Sequence, residues 1–167
     1  MPPDSPAGTP PAPQPDPSLV SIQAAPFDVA AEIARVESAH GGRAGAVVTF
    51  TGLCRDEGGR LTGLELEHYP GMAEAEIGRV VAEAQDRWPL HAVRVIHRHG
   101  LVAPGDGIVL VIVASSHRIA AFEAASFLMD YLKTRAPFWK REHLADGTTG
   151  GWVEAAEADD AAAARWA

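Results

Sequence analysis

The sequence predicts a single α+β domain with a largely antiparallel sheet, and three observations carry that prediction. Short runs of apolar or alternating residues are interleaved with helix-period stripes in the irregular order α, β, β, α, β, β, α, β. Turn chemistry at Pro70-Gly71 and at Pro104-Gly105-Asp106-Gly107 separates them by tight reversals. The chain has 167 residues, 47% hydrophobic and 22% charged, the size and make-up of one globular domain with a real core.

Residues 1–20 are dominated by Pro, with Ala, Ser, Asp and Gly between, and are expected to be disordered because they bury too little apolar surface to offset ordering entropy. The folded domain is expected over 21–157, with an Ala-rich end at 158–167. Asp28 is suited to cap a helix carrying Val29, Ile33 and Val36 on one stripe and closing at Gly41-Gly42. Gly45 to Thr51 reads as a buried strand, Gly52 to Gly63 as a polar loop, and Leu64 to Tyr69 as a half-buried strand. Met72 to Trp88 forms an amphipathic helix with Ile77, Val80, Val81, Ala84 and Trp88 on one stripe, stopped by Pro89. Val93 to His99 alternates, and Ile108 to Ala114 is apolar throughout.

The next helix, His117 to Arg135, has Ser115 or Ser116 as its cap. Ala121, Phe122, Ala125, Leu128, Met129 and Leu132 make its apolar stripe, widened by Phe127 and Tyr131, and Glu123, Ser126 and Asp130 its narrow polar side. So apolar a helix is expected to be buried in the domain or under a second subunit. At about 100° per residue Lys133 falls about 20° past Phe122, on the border between buried and polar faces, where a lysine usually snorkels and can also be partly desolvated. Thr149 to Ala155 fits a last strand, and the C-terminal end with Trp166 a weak helix.

The formal charge of −8 argues against a nucleic-acid partner, which needs a broad basic surface. No apolar run approaches the ~20 residues of a membrane span, and no signal-peptide pattern opens the chain. The one cysteine, Cys54, rules out an intrachain disulfide framework. A reduced, cytoplasmic protein is expected. Against that acidic background, Lys133, Arg135, Lys140 and Arg141 crowd around Pro137, Phe138 and Trp139. Cations concentrated in an acidic protein point to an anion, with a solvated helix end as the plain alternative. His117 and Arg118 open a helix, where free N–H groups favour phosphate or carboxylate, with an ordinary capped helix start as the plain alternative. Arg55 follows the first long strand. His97 and His99 lack a third ligand at metal-site spacing, and Glu65 and Glu67 read as a solvated strand face. The residues alone therefore describe an anion site built from Arg55, His117, Arg118, Lys133, Lys140 and Arg141, with Phe138 and Trp139 to wall a ring. They do not name the substrate.

The segments G-A-V-V-T-F-T-G (45–52), L-E-H-Y-P-G-M (66–72), R-W-P-L (87–90), V-I-H-R (95–98), P-G-D (104–106) and S-H-R (116–118) resemble the large, catalytic subunit of molybdopterin synthase, the MoaE family. So do A-F-E-A (121–124), M-D-Y-L-K-T-R-A-P-F-W-K-R-E (129–142) and W-V-E-A (152–155). The resemblance runs in order from about Phe27 to Ala156. It implies an α/β hammerhead with a mostly antiparallel sheet and an additional α+β subdomain. It further implies a homodimer within a heterotetramer, each large subunit holding a small ubiquitin-like, MoaD-like sulfur carrier that ends in Gly-Gly. The carrier's thiocarboxylate would deliver two sulfurs to cyclic pyranopterin monophosphate, forming the molybdopterin dithiolene without metal or cofactor. By resemblance, Lys133 and Lys140 are the catalytic lysines, and His117, Arg118 and Arg55 contact the substrate. Arg141 and Glu142 continue the pocket lining, and Leu53 and Cys54 complete the substrate-binding loop. Leu53 and Cys54 depart from the family's pattern of a basic and a small apolar residue. The loop Asp56 to Arg60 is short, and Ala156 stands where some members carry a cation. A non-catalytic docking protein for a ubiquitin-like carrier is the alternative function, and a pterin or nucleotide phosphate binder a third.

Overall fold

The structure is a computed structural model and describes residues 19–153 and 157–167. Residues 1–18 of the tail expected over 1–20 lie outside the described residues, as do Glu154, Ala155 and Ala156. The elements run β1 (Val20–Gln23), α1 (Val29–Ala39), β2 (Ala46–Leu53), β3 (Leu61–His68), α2 (Met72–Arg87), β4 (Leu90–Arg98), β5 (Gly100–Val102), β6 (Gly107–Ser115), α3 (Arg118–Arg135), β7 (Phe138–Leu144) and α4 (Glu157–Ala164).

Two sheets result. One has strand order β1-β4-β6-β2, antiparallel except for the parallel pair β1/β4, and the other is the antiparallel set β5-β3-β7. The α+β expectation with mainly antiparallel pairing holds. In the larger sheet, β4 and β6 are covered on both faces. Val93, Val95, Val109, Val111 and Val113 pack against α2 and α3, while Ala92, Ile96, Leu110, Ile112 and Ala114 pack against α1. Double coverage is why β6 reads as an unbroken apolar run rather than an alternation. The smaller sheet closes its own core from Leu61, Leu66, Val102 and Cys54.

Asp28 caps α1 as expected, its Oδ1 accepting from the Ala31 N–H at 3.0 Å. Several other expectations are corrected. Val20 already belongs to β1, so regular structure starts inside the segment assigned to the tail. Strand β2 extends to Leu53 and β3 begins at Leu61, shrinking the Gly52 to Gly63 loop to residues 54–60. Cross-strand partners extend both strands past their apolar runs. Strand β7, F-W-K-R-E-H-L, was not expected at all. It shows no apolar alternation because cross-strand partners such as Glu65 opposite Arg141 hold it to β3. Of the strand expected over Thr149 to Ala155, the described residues 149–153 form two isolated bridges, Lys140 with Val153 and His143 with Thr149.

The start of α3 also differs. His117 occupies the N-cap without a side-chain cap bond, while Ser115 ends β6, fully buried, donating its Oγ to the Pro89 carbonyl at 2.8 Å. Phe122, placed on the buried stripe from sequence, is 61% exposed beside Ile119 at 67%. Ala120 and Ala124 join the buried face instead, and Tyr131 is buried as expected. The polar side is an anchoring surface: Glu123 accepts from Trp88 Nε1, and Asp130 accepts from Trp166 Nε1 and Arg165. Trp166 stacks edge-on against Trp88 and Phe127, and Arg87 donates to its carbonyl at 2.7 Å. The C-terminal end is thereby fastened along α3.

A candidate anion site between the sheets and the end of α3

The last turn of α3, the end of β2, strand β7 and the middle of β3 enclose a cavity of about 860 Å³. Lys133 enters from α3, Lys140 from β7 and Arg55 from the end of β2, with Phe138 and Trp139 on the wall. Gly52 keeps the floor low, since a Cβ there would lie 2.7 Å from Val109 Cγ1 and 3.3 Å from the Phe50 ring. No Asp or Glu is among the described residues lining it, whereas Arg55, Lys133, Arg135 and Lys140 all do. In a chain of net charge −8, that is a focused positive field over an apolar floor.

The structure divides the crowded cations into two kinds. Arg135 donates to Glu83 at 3.1 Å and lies 4.0 Å above the Tyr131 ring. Arg141 sits on the other face of β7, donating to Glu65 Oε2 at 2.8 and 2.7 Å and stacking 4.3 Å from Trp152. Glu142 pairs with Arg60 at 3.1 Å. Lys133 and Lys140 are exposed and have no carboxylate partner among the described residues. Arg55, also exposed, pairs with Glu57 at 3.1 Å. Arg141 and Glu142, expected to continue the lining, are not among the described residues that line the cavity: Glu65 engages Arg141 and Arg60 engages Glu142. Lys133 is exposed, not desolvated against Phe122.

Of the two residues before Arg55, Leu53 is 55% exposed and lines the cavity. Cys54 does not. It is buried against Leu61, Leu66 and Val102, with its backbone bonded to Asp106 and Gly105. Burial pushes its thiol up, and the nearby Asp106 and Glu57 carboxylates push the same way. A neutral, buried thiol is a packing group.

Glu65 is not a solvated carboxylate. It accepts from His143 Nε2 as well as from Arg141, and these bonds hold its pKa below the ordinary range. His97, unassigned a role by the sequence, stands in the cavity wall. Its ring lies 3.8 Å from Phe138 at an interplanar angle of 16°, and its Nδ1 donates to the Arg98 carbonyl at 2.8 Å. Burial lowers its pKa to about 4; the Arg98 bond opposes that shift and His68 adds to it. His99 packs against His68 instead, and no group of three or more His, Cys, Asp or Glu among the described residues could hold a metal.

His117 and Arg118 lie elsewhere. With Gly45, Ser116 and Ile119 they line a separate concavity of about 430 Å³ at the opposite end of α3. The fifteen-residue rise from Arg118 to Lys133 is about 22 Å. The single six-residue site expected from sequence is thus two clusters within one chain.

The fold is thus an α+β domain with two sheets and a cationic, aromatic-walled cavity that has no Asp or Glu among its described lining residues. Residues 22–135 match the family described as MoaE protein, and the chain belongs to that family. It is 68% identical over 149 residues to the molybdopterin synthase catalytic subunit of Mesorhizobium japonicum, covering 88% of this chain and 92% of that one. Its fold matches a molybdopterin biosynthesis MoaE protein from Burkholderia ambifaria with TM-score 0.76 and 46% identity, over 88% of this chain and 96% of that one. It also matches, at TM-score 0.68 and 22% identity over 84% and 92% of the two chains, a chain from the complex of subunits 1 and 2 of molybdopterin-converting factor from Helicobacter pylori.

Proposed function

We propose that this chain is the catalytic subunit of a molybdopterin synthase. It transfers sulfur from the thiocarboxylated C-terminus of a small ubiquitin-like carrier to cyclic pyranopterin monophosphate. The observation that carries the reading is the cavity itself: two unpaired lysines and an arginine at its edge, aromatic walls, and no lining carboxylate among the described residues. Such a site suits two anions brought together around a flat ring. Lysines hold donor and acceptor in one place and neutralise charge that develops on oxygen as sulfur adds. Lys133 is assigned to the carrier's C-terminus and Lys140 to orienting the pterin. The sulfur arrives on the partner, so neither a cysteine nucleophile, a metal nor a cofactor is required of this chain. The two-subunit complex of the Helicobacter pylori relative supports a small-subunit partner.

The separation of the clusters supports the homodimer within a heterotetramer. A two-fold dimer can set the His117-Arg118 end of one α3 beside the Lys133 end of the other. Ile119, Phe122 and Phe50, exposed in the single chain, are apolar surface for such an interface. Among the described residues no helix is long and apolar enough to cross a membrane, in keeping with a cytoplasmic place for the reaction.

The test mixes the protein with thiocarboxylated carrier and cyclic pyranopterin monophosphate and assays molybdopterin. Product from the wild type, lost in Lys133→Ala while carrier binding is kept, supports the catalytic reading. Stable carrier binding without product leaves a docking protein. Tight pterin phosphate binding with no carrier association leaves a plain ligand binder.

A further inference from the structure

Every charged side chain among the described residues that line the cavity is a cation, and lysine and arginine only donate hydrogen bonds. They match a phosphate and a thiocarboxylate, which only accept. A pterin also presents ring N–H groups, and these need an acceptor. Among the described lining residues, only Thr51, Thr134 and His97 carry an uncharged side-chain nitrogen or oxygen that can accept. Thr134 donates its one hydroxyl proton back to the carbonyls of Asp130 and Tyr131, which ties it to the last turn of α3 but leaves its oxygen able to accept, as Thr51 can. His97 is differently placed. The Arg98 carbonyl can only accept, so the 2.8 Å contact puts the ring proton on Nδ1 and leaves Nε2 as a bare lone pair. Phe138 covers one face of the imidazole and fixes its plane. His97 also lies in register with Val109, which pairs with Gly52, so one row across β4, β6 and β2 passes under the cavity.

We infer that His97 is a specificity-determining residue of this site, whose Nε2 accepts a hydrogen bond from a ring N–H of the pterin while the lysines hold its anionic end. The inference rests on the function proposed above and names the group that reads the heterocycle. The imidazole is suited to the task because it stays neutral at physiological pH; a protonated ring would repel an N–H donor.

Two amide substitutions separate the imidazole's two nitrogens. In His97→Asn the amide overlies Nδ1, keeping the bond to Arg98 and losing the acceptor. In His97→Gln it overlies Nε2, keeping the acceptor and losing the bond to Arg98. The experiment measures KM for cyclic pyranopterin monophosphate, KM for the thiocarboxylated carrier and the melting temperature of the reconstituted complex. Expected is a rise of about tenfold in the pterin KM for His97→Asn, the worth of about one net hydrogen bond. His97→Gln should stay within about threefold of wild type, and the carrier KM should be unchanged in both. A wild-type pterin KM in His97→Asn overturns the inference. So does an equal rise in both variants, or a rise tracking the loss of melting temperature, since each marks a structural role. If the wild type itself makes no molybdopterin with a bound carrier, the proposed function fails and the inference with it. An active wild type beside an unaffected His97→Asn removes the inference alone.

Discussion

At the scale of single residues, what distinguishes Lys133 and Lys140 from Arg135 and Arg141 is the presence of a partner. Each arginine is neutralised by a glutamate and lies against an aromatic ring, so its charge serves the fold. The lysines have no such partner among the described residues and face the cavity. Lys133→Ala and Lys140→Ala should each lower turnover by on the order of 100-fold, as lost preorganised charge does. Their melting temperatures should match wild type, checked by thermal denaturation of the same samples. Arg141→Ala should show the reverse, a lower melting temperature with turnover affected less.

Two groups also make stability depend on pH. His97 has a folded pKa of about 4 against an ordinary 6.5, so its neutral form is the folded one. Its contribution is present above pH 6.5 and is lost as pH falls toward 4, because the unfolded chain takes up the proton first. Glu65, held below its ordinary 4.5 first by His143 and then by Arg141, contributes above that value. Its share is lost as pH falls through its lowered folded value. Thermal melts from pH 7 to pH 3 should therefore show His97→Gln flattening the slope between 6.5 and 4. Glu65→Gln should flatten only the part below 4.5.

At the scale of elements, local signals worked where a single segment contains its own cause. Asp28 caps α1, and Asp28→Ala should cost about 1 kcal/mol, read by denaturant unfolding. The stripe Ile77, Val80, Val81 and Ala84 is buried as its spacing requires. Elements whose cause lies in another segment stayed hidden. Strand β7 is charged because β3 lies beside it, and β1 exists because β4 offers it a parallel edge. Gly45 is a further case. A Cβ there would come within 2.2 Å of the Ser116 carbonyl oxygen, against a backbone that cannot swing aside. Gly45→Ala should lower the melting temperature and displace the start of α3, where His117 and Arg118 sit. Amide exchange across Ser116 to Ala121 measures that displacement.

At the scale of the whole molecule, the two cationic clusters lie about 22 Å apart along α3, and the proposed dimer is what would join them in one site. If each site joins Lys133 from one chain to Arg118 from the other, Lys133→Ala and Arg118→Ala homodimers are both inactive. Co-refolding the two should restore about a quarter of wild-type turnover, since half the dimers then carry one intact site. Restoration near zero would mean that both clusters act within one chain.

The α+β class, the α1 cap, the apolar strands and stripes, and the lysine-bearing motif around Pro137 were all legible in the chain before it folded. These are periodicities and local preferences, written in neighbouring residues. Only the tertiary structure shows which cations lack a carboxylate partner among the described residues, where Cys54 points, and that His97 stands in the cavity wall. It also decided that His117 and Arg118 open a second concavity. Each of these depends on what a distant segment brings alongside: a glutamate on β3 or α2, a phenylalanine from β7, or the length of α3. Local preference cannot encode a partner that is distant in sequence, and charge in a folded protein takes its meaning from its partner.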